Sequence, residues 1–119
     1  MIEAVNLAKK LSTFSEHWSP RIVAAFNGHD VMVVKFQGEY VWHAHADTDD
    51  FFLVLKGSLR IETDEGTVHL NEGDLYVVPK GVRHRPVADE EVEVLLIETA
   101  GEPNSGDSTE REPAEKVRI

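Results

Sequence analysis

Three histidines and an aspartate, His43, His45, Asp50 and His84, are the residues of this chain whose types and spacing could do chemistry. His43 and His45 lie two apart in a stretch, Gly38 to Asp50, that reads largely as strand. Successive strand side chains point to opposite faces, so both imidazoles face one way while Trp42 and Ala44 face the other. Asp50 returns a carboxylate beside them, just ahead of Phe51-Phe52-Leu53-Val54-Leu55-Lys56-Gly57. A second block running from Gly73 offers a third imidazole, His84, after a Pro79-Lys80-Gly81 turn. Such donors suit a divalent transition metal (Mn, Fe, Co, Ni, Cu or Zn). Four of them on an octahedral ion leave two positions open for water, O₂ or a chelating small organic ligand.

Positioning these groups requires a scaffold, and its pattern is β. From Arg21 onward the sequence predicts short strands over 22–26, 30–37, 39–45, 51–56, 58–63, 67–70, 74–78, 84–87 and 91–99. The breaks carry turn residues such as Asn27-Gly28, Gly57, Asp64-Glu65-Gly66 and Asn71-Glu72-Gly73. Strands at this spacing with no helix between them imply an all-β fold, an antiparallel sandwich or barrel. Residues 1–20 form a lead-in, either a short amphipathic helix in 3–14 or a turn-rich segment, ended near Pro20. Residues 21–100 make the barrel, and 101–119 an acidic, largely irregular tail. Two strands, Phe51–Leu55 and Val94–Ile97, are apolar on both faces and must be covered on both. One face is the barrel interior. The other meets the lead-in, the tail or a second copy, and a homodimer is the expectation, with Tyr40 and Trp42 on the outer face.

Composition narrows the partners. Of 119 residues, 22 are acidic and 12 basic, for a net charge of −10. Neither nucleic acid nor an anionic membrane surface suits a chain with that balance. Without cysteine there is neither a disulfide nor a thiolate metal site. No window has the apolar length of a signal peptide or a bilayer span, which makes the cytoplasm the expected location.

The two blocks together resemble the signature of the cupins. The first cupin motif is a glycine, a short run, His-x-His, a carboxylate and, six residues on, a glycine. Gly38, His43, His45, Asp50 and Gly57 follow it here. The second, a glycine, Pro-x-Gly and a histidine, is matched by Gly73, Pro79, Gly81 and His84. The short spacer between the motifs, the Ser15-Glu16-His17-Trp18-Ser19-Pro20 lead-in and the Phe51–Gly57 strand are similar to a subgroup of small single-domain cupins. That subgroup is loosely labelled as related to mannose-6-phosphate isomerase. The resemblance implies a jelly-roll barrel, a double-stranded β-helix, with His43, His45, Asp50 and His84 as metal ligands. It implies no single reaction, since cupins include isomerases, dioxygenases, decarboxylases, sensors and storage proteins. Two positions depart from the pattern. The first-motif glutamate is Asp50, whose arm is ~1.5 Å shorter where metal–oxygen bonds tolerate about 0.2 Å. The asparagine often found four residues after the second-motif histidine is Ala88.

The remaining polar residues read as bland. His17, His29 and His69 match no motif position and are expected at the surface. Arg60, Lys80, Arg83 and Arg85 are expected to be solvated rather than to grip an anion. Phe52 and Val54 share the parity of Asp50 and are expected to line the pocket. Two functions fit: a metal-dependent enzyme of oxygenase or isomerase type, and a non-catalytic sensor or binding module for a small ligand or metal.

Overall fold

A computed structural model of the chain describes residues 2–119. One short helix, α1 (Leu7–Leu11), precedes eight strands: β1 (Arg21–Phe26), β2 (His29–Glu39), β3 (Asp50–Lys56), β4 (Leu59–Thr63), β5 (Gly66–Leu70), β6 (Leu75–Val78), β7 (His84–Thr99) and β8 (Val117–Arg118). The main hydrogen-bonded path runs β5-β4-β7-β2-β1-β8, while β3 pairs with both β6 and β7. The pairings are antiparallel except β1 with β8. This is the all-β jelly-roll arrangement expected from the turn spacing. Among the described residues no helix is long and apolar enough to cross a membrane.

Strand β7 organises the barrel. Its first part pairs with β4 (Ile61 opposite Pro86) and its second with β3 (Phe52 opposite Leu96). It runs beside β2 for most of its length. The sequence suggested two strands here, 84–87 and 91–99. One long strand results, because Asp89-Glu90-Glu91 at its middle is merely exposed and contains no residue that would break a ladder. Likewise β2 runs from His29 through Gly38 to Glu39, with a register shift between Phe36 and Gly38.

Alternation places the core. Met32, Val34 and Phe36 of β2, Phe52 and Val54 of β3, Leu59 and Ile61 of β4, and Val92, Val94 and Leu96 of β7 are buried in one cluster. A fully buried side chain of this kind is worth about 1.5–3 kcal/mol. A second cluster lies on the outside of the sheet, where Leu11, Phe14, Val23 and Val33 cover Leu55 and Leu95, joined by Ile119. The lead-in and the chain's end thus cover part of the second apolar face. The rest of it, Phe51, Leu53 and Ile97 beside exposed Leu75 and Val77, remains open on the monomer surface.

The lead-in also reaches inward. The Trp18 backbone, at φ 58°, donates its N–H to the Lys35 carbonyl (2.9 Å), and its indole N–H donates to the Gln37 carbonyl (3.0 Å). A non-glycine residue holds left-handed backbone only when its surroundings secure it. Here two hydrogen bonds and ring stacking on Phe36 (4.3 Å) and Tyr40 (4.8 Å) do so.

Candidate metal centre

The segment after β2 does not continue as a strand. Between Tyr40 and Asp49 the only ladder contact is His43 with His84, whose N–H and carbonyl groups exchange two hydrogen bonds of 3.0 and 2.8 Å. The alternation assumed for 39–45 therefore fails at its start. Tyr40 turns into the core at 5% exposure instead of lying outside with Trp42. Trp42 is half-buried at the surface between the guanidinium groups of Arg83 and Arg85. His43 and His45 still share the inner side.

The second motif is tied directly to the first. Gly81, at φ 82° where a side chain would be strained, donates its N–H to the His45 carbonyl (2.8 Å). The neighbouring Lys80 N–H donates to Asp49 Oδ1 (2.9 Å). These bonds dock the turn that carries His84 against the loop that carries His45 and leads into Asp50. Asp50 opens β3 opposite Val78 and points inward with Phe52 and Val54.

The structure brings all four predicted residues together. Each is buried, at 1–3% exposure, and one donor atom from each lies within 4.8 Å of the others. Bonds near 2.1 Å would space such donors about 3 Å apart when adjacent and about 4.2 Å when opposite, so a single ion needs only a small contraction. Asp50 Oδ2 sits 3.0 Å from His84 Nε2 and 3.3 Å from His45 Nε2. Its shorter arm reaches the cluster after all.

Each imidazole presents Nε2 to the cluster because its Nδ1–H is occupied. His43 donates to the Val41 carbonyl (2.9 Å), His84 to the Val82 carbonyl (2.8 Å) and His45 to the carboxylate of Glu102 (2.8 Å). Fixing Nδ1–H in this way leaves the Nε2 lone pair for a metal. Asp50 Oδ1 and His45 Nε2 are buried without a hydrogen-bond partner. Two such orphaned electron-pair donors, among three imidazoles and a carboxylate, are what a metal ion would satisfy.

Electrostatics reflect this crowding. Burial pushes His43 down to about 4. His45 rises to about 9: burial opposes its charge, but the Asp50 and Glu102 carboxylates outweigh it. Burial likewise works against a charged Asp50, yet the His45 and His84 imidazoles beside it hold its carboxyl well below the usual range.

Above the donors lies a narrow cleft of about 20 Å³, walled mainly by Trp18, Phe36, Tyr40, Phe52 and Leu96, with His43, Asp50 and Glu98 along it. Phe52 lines it as its parity implied, whereas Val54 packs in the core. The Tyr40 hydroxyl is buried without a partner, and burial pushes its pKa up to about 12, so it stays protonated. Glu98 is 4% exposed and bonded to Lys116 Nζ (3.0 Å). Burial and the nearby Asp50 charge lift it to about 7 against the pull of Lys116.

The chain matches the family described as "Cupin domain" over residues 30–99. The protein is a cupin. It is 42% identical over 86 residues to the uncharacterized protein YdbB of Bacillus subtilis (strain 168), a match covering 71% of this chain and 76% of the relative. A crystal structure of a cupin-2 domain containing protein from Shewanella frigidimarina superposes with a TM-score of 0.79 at 45% identity, over 80% of this chain and 93% of the other. The crystal structure of hydroquinone 1,2-dioxygenase PnpCD, in complex with Cd²⁺ and 4-hydroxybenzonitrile, shares the fold. Its TM-score is 0.65 at 20% identity, over 77% of this chain and 70% of that one. The buried His43, His45, Asp50 and His84 group fits a metal-binding cupin.

Other expectations divide. His17, His29 and His69 are exposed, and His17 bonds Glu91 (2.7 Å). Arg60 and Arg85 are tied to Glu62, Asp89 and Glu39 outside the cleft. Sequence reasoning passed over Glu98, although it continues the inward row Val92, Val94, Leu96 and could have been found by parity. It also missed Tyr40, Trp18 and Glu102. Tyr40 is hidden by the failed alternation, and Trp18 and Glu102 act across the fold with no local signal.

Proposed function

We propose that this cupin is a metal-dependent enzyme acting on a small, flat organic molecule, by oxygenation or isomerisation. The observation that carries the reading is the junction of the buried donor set with an aromatic cleft in which a protonated Tyr40 hydroxyl has no protein partner. His43, His45, Asp50 and His84 would hold the ion, which when bound supplies a Lewis acid or a site for O₂. The chain's own residues supply the rest. Trp18, Phe36 and Phe52 offer apolar walls for a flat ligand and exclude water. Tyr40 is placed to donate its hydroxyl proton to a ligand oxygen. Glu98, titrating near neutrality, can hold or accept a proton at its carboxylate.

Among the described residues no lysine or arginine lines the cleft, which gives a phosphosugar-isomerase assignment little support. A sensor is the second reading, favoured by Asn104 of the C-terminal segment closing one side of the cleft.

Elemental analysis of protein purified without added metal is expected to show about one transition ion per chain, and His43→Ala/His84→Ala none. Metal-dependent conversion of hydroxylated aromatics or enols distinguishes the enzyme, and binding without turnover the sensor. Stoichiometric metal in the double variant refutes the ligand assignment.

A further inference from the structure

The segment that follows β7 grips the residue between the two first-motif histidines. Ala44 donates its N–H to Asp107 Oδ1 (2.8 Å), and the Asp107 N–H donates back to the Ala44 carbonyl (3.0 Å). Between these bonds Gly106 approaches so closely that a Cβ there would collide with the Ala44 carbonyl and press on the His43 ring. Ser105 beside it is fully buried.

Four residues earlier, Glu102 takes the Nδ1–H of His45. His43 and His84 satisfy theirs with carbonyls two residues away, whereas His45 draws its partner from 57 residues along the chain. A carboxylate partner makes an imidazole a better electron-pair donor than a carbonyl does, and fixes its tautomer. The segment is also anchored beyond the site. Lys116 donates to Glu98 and to the Glu102 carbonyl, β8 pairs with β1, and the Ile119 N–H donates to the Ile22 carbonyl (2.9 Å). The segment that makes these contacts, residues 102–119, lies outside the residues 30–99 matched by the family.

We infer that residues 102–107 are a working part of the metal site, with Glu102 the positioning residue for His45 and Gly106-Asp107 a clamp on the peptide that carries both histidines. The inference rests on the metal reading above and adds to it that the barrel alone does not complete the site. Composition left the tail either exposed or packed on. The contacts pack it onto the site as a strap.

The test titrates the full chain with cobalt(II) alone, reading affinity by chelator competition and ligand field by the visible spectrum. Glu102→Gln removes the charge but leaves the clamp. Gly106→Ala lifts the clamp but leaves Glu102. Glu112→Gln makes the same charge change at an exposed position of the same segment. Cobalt affinity is expected to fall about 10- to 100-fold in Glu102→Gln with a shifted spectrum, and to be unchanged in Glu112→Gln. Gly106→Ala is expected to lose affinity as well. If that variant does not fold, Glu102→Gln decides. Unaltered affinity and spectrum in Glu102→Gln, or an equal loss in Glu112→Gln, overturns the inference while leaving the four-ligand site standing. Absence of cobalt binding by the unmodified chain overturns the metal reading, and this inference with it.

Discussion

Replacing Glu98 by Gln should flatten the pH dependence of stability in the metal-free protein. Glu98 lies 4% exposed at the end of the inward row of β7, and burial with the Asp50 charge lifts its pKa from 4.5 to about 7. The folded state thus keeps its proton where the unfolded chain has lost it. The associated stability is fully present below about pH 4.5 and is lost as pH rises through about 7. A tenfold change in proton affinity is about 1.4 kcal/mol, so the loss comes to about 3 kcal/mol. For a domain of this size that corresponds to a fall in Tm of roughly 10 °C. Glutamine imitates the protonated side chain in shape and charge at every pH. It therefore cannot titrate, and Lys116, its 3.0 Å partner, is affected equally at both ends of the range. Thermal or urea unfolding of both proteins in chelator, at pH 4.5 and pH 8, gives the comparison. Wild type should lose about 3 kcal/mol more than the variant between the two. Parallel curves would show that Lys116 holds Glu98 ionised throughout, and would remove it as a proton-handling group.

Further outcomes follow from the same geometry. Asp50→Asn keeps the size of the side chain but removes the charge that lies 3.0 Å from His84 Nε2. Metal affinity should fall about 10-fold or more by chelator competition, and an unchanged value would show that Asp50 is no ligand. The open apolar face of Phe51, Leu53 and Ile97 with exposed Leu75 and Val77 should join two copies of the chain. Sedimentation at micromolar concentration should then give a dimer, and a clean 13.3 kDa monomer would refute it.

How much of this could be read from the residues depends on the range of the interaction concerned. The barrel was legible because its signals are local: turn residues between strands, and two-residue alternation in Leu59/Ile61 and Val92/Val94, which are buried as the pattern requires. The four donors were legible because their spacing encodes them, and the two motifs are then docked by the Gly81 N–H on the His45 carbonyl. Tyr40 was misplaced because alternation holds only while the ladder does, and the ladder stops at Glu39. Past that point the chain is held by isolated contacts such as the His43–His84 bridge, and parity counted back from His43 no longer predicts direction. The strap was illegible for the opposite reason. Glu102, Gly106 and Asp107 sit in a polar run whose composition resembles disorder, and what orders them is a set of partners some 60 residues away. Composition measures whether a segment can bury apolar surface of its own. It does not register a segment fixed by backbone hydrogen bonds to a site already built. In this cupin, that second kind of order carries the carboxylate that orients His45.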